Sequence, residues 1–449
     1  MILNSFSDML RWAQRIKGYL HKSMSGFLVM HSHSVPDYVF SLHCFPLSSS
    51  ILSSVLLHLY GLPSRWCILV TCLGFFFTVN TFLINPLPIF SPLGGHYKVG
   101  LLLMNSRPRR GTPPLAVFYP TNATPSSSGI PYVPFLDKRF LQGMATYAKL
   151  PYFLVKDIIF VRLYAILGAT PAPVLSSRQP APPIVVFSHG LAGFHTFYSC
   201  LAMDLAARGA VVVCIGHCDG SASFMREESG HGEEIPFKVL KMDASDREPQ
   251  LAQRIAETRQ VLKYVAEADF WTALGYPKED VMPFIARPFG VHLAGHSFGG
   301  ATVLATALQE SQEESGTNVK TVFTFDPWML PLQNAYFYNP IVEEGKKYTI
   351  PTHSLHSEQW ARDTSSWEFF RRVSVAVTSH PCHAMLSESE KSAFFVTEKK
   401  GGTNHQSFTD LCLLSPVFHG CRSSMEPPRV RIMEFSNALL RFAKEHTTR

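Results

Sequence analysis

Residues 290–302 read Gly-Val-His-Leu-Ala-Gly-His-Ser-Phe-Gly-Gly-Ala-Thr. The first part, Val291–Ala294, is a short apolar run of the kind that forms a buried strand. The last part opens GATVLATALQ, an Ala/Leu-rich stretch with good helix propensity. Between them stands Gly295-x-Ser297-x-Gly299. A serine between two glycines at a strand-to-helix junction predicts a sharp turn that exposes the serine hydroxyl at the start of a helix. The glycines are required because side chains there would collide with neighbouring elements. Helix-start N–H groups favour negative charge at that point. The pattern makes Ser297 a candidate nucleophile.

The pattern around this turn repeats on both sides. Ile184–Ser188 (IVVFS) is a β-branched run, and Ser199–Arg208 reads as a helix stopped by Gly209. Ala210–Ile215 is a strand, Glu248–Ala266 a helix, and Thr321–Phe325 (TVFTF) another strand. Lys347–Ile350 is expected to open one more. Strands alternating with helices imply an α/β protein with a mainly parallel sheet. With the serine turn, the expectation is an α/β-hydrolase fold, a central sheet flanked by helices, over residues 91–449.

Acyl transfer at Ser297 needs further groups. One oxyanion donor is expected from the N–H of Phe298, and the second from the turn after IVVFS, where Gly190 leads to the N–H of Leu191. His189 beside this turn reads as structural. The acid and base should follow the serine in the order acid, then histidine. Asp326 ends the strand TVFTF. Asp363, its competitor, lies in a polar stretch with no strand immediately before it. His353, His356, His380, His383, His405 and His419 all follow, and spacing does not choose among them. His405 stands in a glycine-rich loop, GGTNHQ, before a helix-like run. His380 and His383, flanking Pro381, are the alternative pair.

The first ninety residues differ from the rest. Asp8 and Asp37 are their only acids. Residues 66–84 (WCILVTCLGFFFTVNTFLI) carry no charge and as a helix would reach about 28 Å, near the thickness of a bilayer core. Arg11, Arg15, Lys17, Lys22 and Arg65 precede this run. The expectation is an N-terminal membrane-prone region, 1–90, with a transmembrane helix at 66–84 and the hydrolase domain on the non-cytoplasmic side. The run 38–60 is a poorer second span. Tyr152–Leu167 reads as a core helix or as one that dips into a lipid surface.

The 449 residues carry a formal net charge of +6, with 46% hydrophobic and 16% charged residues. The basic residues are scattered, so no nucleic-acid partner is expected. Nine cysteines do not form a complete disulfide framework. Cys214, His217, Cys218 and Asp219 lack a second pair at zinc spacing, so no metal or other cofactor is expected.

In chain order, VVFSHGLAGFHTFYS, DLAARGAVVVCIGHCDGSAS, AGHSFGGATV, FDPWMLPL and NHQSFTD together resemble the platelet-activating factor acetylhydrolase family, of the plasma and cytosolic lipoprotein-associated phospholipase type. The likeness runs from about residue 93 to the C-terminus. It implies Ser297 as nucleophile, Asp326 as acid, His405 as base, and Leu191 and Phe298 as oxyanion donors. It also implies calcium-independent hydrolysis of the sn-2 ester of glycerophospholipids with short or oxidised acyl chains at a membrane or lipoprotein surface. His217-Cys218-Asp219 departs from the family's His-Arg-Asp. A broader carboxylesterase or phospholipase on longer chains, and an inactive membrane-anchored hydrolase, are the competing expectations.

Overall fold

The computed structural model describes residues 53–54, 57–61, 63–84, 89–104, 112–124, 129–152, 155–175, 181–226, 233–287, 289–313, 318–333, 335–414 and 427–447. The chain divides into two compact units, Met1–Pro86 and Leu87–Arg449.

Within the second unit, nine strands form one sheet. In chain order they are β1 (Lys98–Met104), β2 (Leu115–Thr121), β3 (Ile166–Leu167), β4 (Ile184–Ser188), β5 (Val211–Ile215), β6 (Val291–His296), β7 (Val319–Phe325), β8 (Thr352–Ser357) and β9 (Phe395–Lys400). Their order across the sheet is β9-β8-β7-β6-β4-β5-β2-β1-β3. Neighbours from β5 through β9 are parallel, and β2 runs antiparallel to both β1 and β5. The central strands are buried throughout, which is why they read as unbroken apolar runs rather than alternating ones. This is the mixed, mostly parallel sheet of an α/β-hydrolase fold.

The first unit contains helix α1 (Ser64–Ile84). The second unit's main helices are α2 (Ser199–Ala207), α3 (Ala244–Val265), α4 (Phe298–Gln312), α5 (Thr364–Ser379) and α6 (Pro428–Thr447). α2 packs with α6, and α3 with α4. The core these elements close on includes Trp271, Tyr119, Phe270 and Phe284, all with under 2% of their surface exposed. The order crosses over between β4 and β5: β4 lies between β5 and β6, although β5 follows it in sequence. The crevice at the carboxyl ends of β4 and β6 is therefore the expected ligand position in an open sheet of this kind.

Several sequence expectations need correction. Among the described residues no helix is long and apolar enough to cross a membrane, so the single-pass localisation is overturned. α1 covers this run over 21 residues, Ser64–Ile84. It also carries Arg65 and makes polar contacts. The buried Ser54 hydroxyl donates to the Cys67 carbonyl at 2.8 Å and lies 2.7 Å from the Thr71 hydroxyl. Most of the second run, 38–60, lies outside the described residues. Tyr152–Leu167 is not one helix. Its described part is a 3-10 turn, Lys156–Phe160, then a two-residue strand, Arg162–Leu163, and β3. Val161, Leu163 and Ala165 are buried there as extended chain, against a three-stranded sheet and the edge of the main one. The strand expected to open at 347 begins at Thr352, just past Pro351, which has no N–H for a sheet ladder.

Candidate active site

β6 ends at His296 and α4 begins at Phe298, so the whole turn is one residue, Ser297. Its backbone has φ 55° and ψ −117°, a conformation that side-chain-bearing residues rarely adopt. Three bonds hold it there. The Ser297 N–H donates to the Phe325 carbonyl at 2.9 Å, and its carbonyl accepts from Trp328 N–H at 2.9 Å and Ala301 N–H at 3.1 Å. The flanking glycines are sterically required. A Cβ on Gly299 would stand 1.9 Å from the Ser188 carbonyl oxygen, and one on Gly295 2.4 Å from the Gly299 oxygen. α4 starts directly behind the serine, and its first N–H groups, Phe298 among them, have no intrahelical acceptor.

The turn after β4 closes over this point. A Cβ at Gly190 would stand 3.2 Å from the Ser297 Cβ, so the turn lies against the serine. Ala192 sits in the left-handed region at φ 57° and donates its N–H to the Ser221 carbonyl at 2.7 Å. Beneath the turn lies Arg254 of α3, fully buried. Its guanidinium donates to the His189 carbonyl at 2.7 Å, to Ser221 Oγ at 2.7 and 2.9 Å, and to Asp219 Oδ2 at 3.1 Å. It also lies 4.4 Å from the centre of the Phe298 ring. One buried cation thus touches the segments that carry both candidate oxyanion donors, Leu191 and Phe298. Nothing in the sequence marked it.

Asp326 follows β7 with φ 43° and is fully buried. Its carboxylate accepts from the Ser357 N–H at 2.6 Å and the Ser357 hydroxyl at 2.6 Å, both at the end of β8. The remaining contact is the Nδ1 of His405, 3.0 Å from Oδ2. His405 opens a 3-10 turn, His405–Phe408, capped by Asn404. Its ring stacks on Trp360 with centres 4.3 Å apart and planes 14° apart. The His405 N–H donates to Gln359 Oε1 at 3.1 Å. Leu191, Ser297 with Phe298, and Asp326 thus follow the carboxyl ends of β4, β6 and β7, neighbours in the sheet, and His405, past β9, lies against Asp326.

The rival acid and bases lie elsewhere. Asp363 caps α5, accepting the Ser365 N–H at 3.1 Å. His380 and His383 bond to the carbonyls of Gly345 and Tyr348. His353 pairs with Glu398, and His356 with Ser354. His419 lies outside the described residues.

His189 and His217 form a buried layer under the site. His217 Nε2 meets Ser188 Oγ at 2.8 Å, and its Nδ1 meets Glu257 Oε2 at 2.7 Å. Burial holds both histidines well below the ordinary value and lifts Glu257 to about 7. The Cys218 N–H donates to the same Glu257 carboxyl at 3.1 Å. Beside this layer Arg254 and Asp219 form a buried ion pair at 3.1 Å.

Among the described residues, His296, Asp326 and His405 are the one group whose donor atoms lie close enough to hold a metal, within 4.8 Å of one another. Both His296 nitrogens are hydrogen-bonded, and His405 Nδ1 is committed to Asp326. The arrangement is a hydrogen-bonded network set beside the serine turn.

Fold and site together define an α/β-hydrolase with a candidate serine nucleophile. Residues 89–447 match the sequence model of the family described as platelet-activating factor acetylhydrolase, isoform II, and the chain belongs to that family. It is 30% identical over 264 residues to the platelet-activating factor acetylhydrolase of Canis lupus familiaris, covering 54% of this chain and 56% of that one. Similarity to the protein of the same name from Cavia porcellus is 29% over 298 residues, covering 62% of each. For that of Bos taurus it is 28% over 374 residues, covering 78% of this chain and 76% of the relative. The chain thus spans under two thirds of the dog and guinea-pig relatives it matches.

Proposed function

We propose that the protein is a serine esterase that hydrolyses the sn-2 ester of glycerophospholipids with short or oxidised acyl chains. The observation that carries this reading is the hydrogen bond of His405 to buried Asp326, beside a serine held at φ 55° by the elbow, within a family match covering residues 89–447. The division of labour is as follows. His405 Nε2 takes the Ser297 proton as Oγ attacks the ester carbonyl. Asp326 fixes the Nδ1–H tautomer and stabilises the imidazolium that forms. Leu191 and Phe298 N–H groups receive the oxyanion, an effect worth about 10²–10³ in rate per donor. The alcohol leaves with the proton from His405, and water repeats the sequence to free the acid. In domain terms, residues 91–449 would carry this chemistry, and 1–90 would form a separate N-terminal region.

The substrate class rests on the relatives' names. The test is release of an sn-2 acetyl group from a choline phospholipid in EDTA by the full chain. Turnover that is lost when the acetyl is replaced by a long saturated acyl chain is the expected result. Equal rates on both would favour the broader phospholipase.

A further inference from the structure

The last residue of β6, His296, directly precedes the serine turn and is not used by the chemistry above. Its ring is 2% exposed and hydrogen-bonded at both nitrogens. Nδ1 lies 2.8 Å from the Tyr198 hydroxyl, and Nε2 lies 3.0 Å from the His405 carbonyl oxygen. Tyr198, likewise buried, also receives the Gly190 N–H at 3.1 Å.

The polarity of this chain is fixed from its ends. A backbone N–H can only donate and a backbone carbonyl can only accept. Gly190 therefore donates to Tyr198, which leaves the Tyr198 proton for His296 Nδ1. An accepting Nδ1 places the ring proton on Nε2, which donates to His405. We infer that Tyr198 and His296 are positioning residues: their one-way hydrogen-bond chain holds the His405 loop in register with the Gly190 turn. This rests on the reading of Ser297 and His405 proposed above.

Three segments distant in sequence meet along the chain. Tyr198 and His296 are 98 residues apart, and His296 and His405 are 109 apart. The His296 ring also lies against that of His405, tilted by 38° with centres 4.5 Å apart, while Trp360 stacks on His405 at 4.3 Å. The base is thus held by its carbonyl, its Nδ1 and its ring contacts. Burial and the neighbouring His405 both keep His296 well below the ordinary histidine value. It therefore stays neutral while His405 carries the proton, and the chain keeps one polarity throughout turnover.

The test uses the full chain with Tyr198→Phe, His296→Leu and the double variant. Active sites are counted with a fluorophosphonate, and two readouts are taken: kcat and KM on a short-acyl choline phospholipid, and the rate of fluorophosphonate labelling. Tyr198→Phe keeps the aromatic packing and removes only the hydroxyl. It is expected to lower kcat and the labelling rate about 10-fold with KM within about twofold, since a misplaced reacting group loses rate rather than binding. The double variant should be no worse than the poorer single one, because linked residues are not additive. A Tyr198→Phe protein within about twofold of wild type, or losses that multiply to about 100-fold in the double variant, would overturn the inference. Should His296→Leu not fold, the Tyr198→Phe labelling rate alone decides. Ser297→Ala is run in parallel. If it still turns over substrate, the nucleophile assignment itself fails; if it is dead while Tyr198→Phe is undiminished, only the positioning chain fails.

Discussion

Ser297 and His405 belong to one site, but they are held there by opposite means. Ser297 is fixed by backbone: three main-chain bonds, a left-handed φ and glycines with no room for a methyl group. His405 is fixed by side chains from distant stretches, namely Asp326, Gln359, Trp360 and His296. Its loop has room at one point. A Cβ on Gly401 would meet nothing within 4 Å. A nucleophile must be strained toward the substrate and cannot yield. A base need only be aimed, and aiming can be shared among several contacts.

This contrast can be broken by substitution. Gly299→Ala should have the largest effect. The added methyl would overlap the Ser188 carbonyl, and the neighbouring strand end has nowhere to go. A loss of about 3 kcal/mol or more in a denaturant melt is expected, with hydrolysis abolished. Ser357→Ala probes the other side. It removes one of two donors that orient Asp326, and should lower kcat about 10-fold with KM nearly unchanged. A KM effect alone would mean that Ser357 serves binding rather than the acid.

Asp410 tests how the base loop is anchored. Its Oδ1 accepts the Cys200 N–H of α2 at 3.1 Å. Burial lifts this carboxyl from 3.8 to about 8. A raised acid holds in the folded state a proton that the unfolded chain gives up near its ordinary value. Its contribution is whole below about pH 4 and declines as pH rises toward 8. Asp410→Asn keeps an acceptor and removes the titration. Its melting temperature should exceed that of the wild type by about 2–4 °C at pH 8 and match it near pH 4. Equal melting curves at both pH values would contradict this. The smallest effect is expected at Gly401→Ala: within about 0.5 kcal/mol in stability and about twofold in kcat. A large loss there would show the base loop to be as tightly built as the elbow.

The same contrast explains what the sequence disclosed. The elbow is local, so the glycines, the strand before them and the helix after them are all legible within thirteen residues. The strands β4, β5 and β7 were legible because double-sided burial leaves an unbroken apolar run. β9, FVTEKK, was not, since an edge strand needs only one buried face and this one carries exposed Glu398 and Lys399. Asp326 stood out as a strand-end carboxylate. His405 could not be separated from five other histidines by spacing, because its partners come from three separate stretches. Tyr198, Arg254, Ser357 and Trp360 gave no local signal for the same reason. The apolar run at 152–167 was misread because a hydrophobic stretch of that length fits helix and short strands equally until its partners are known.

The central claim is that Ser297 is the attacking group. The most direct test is to label the full chain with a fluorophosphonate and locate the adduct by peptide mass spectrometry. A single adduct on the peptide containing Ser297, absent from the Ser297→Ala protein together with a loss of hydrolysis of about 10⁴ or more, is the predicted result. An adduct on another serine, or hydrolysis that survives Ser297→Ala, would contradict the account.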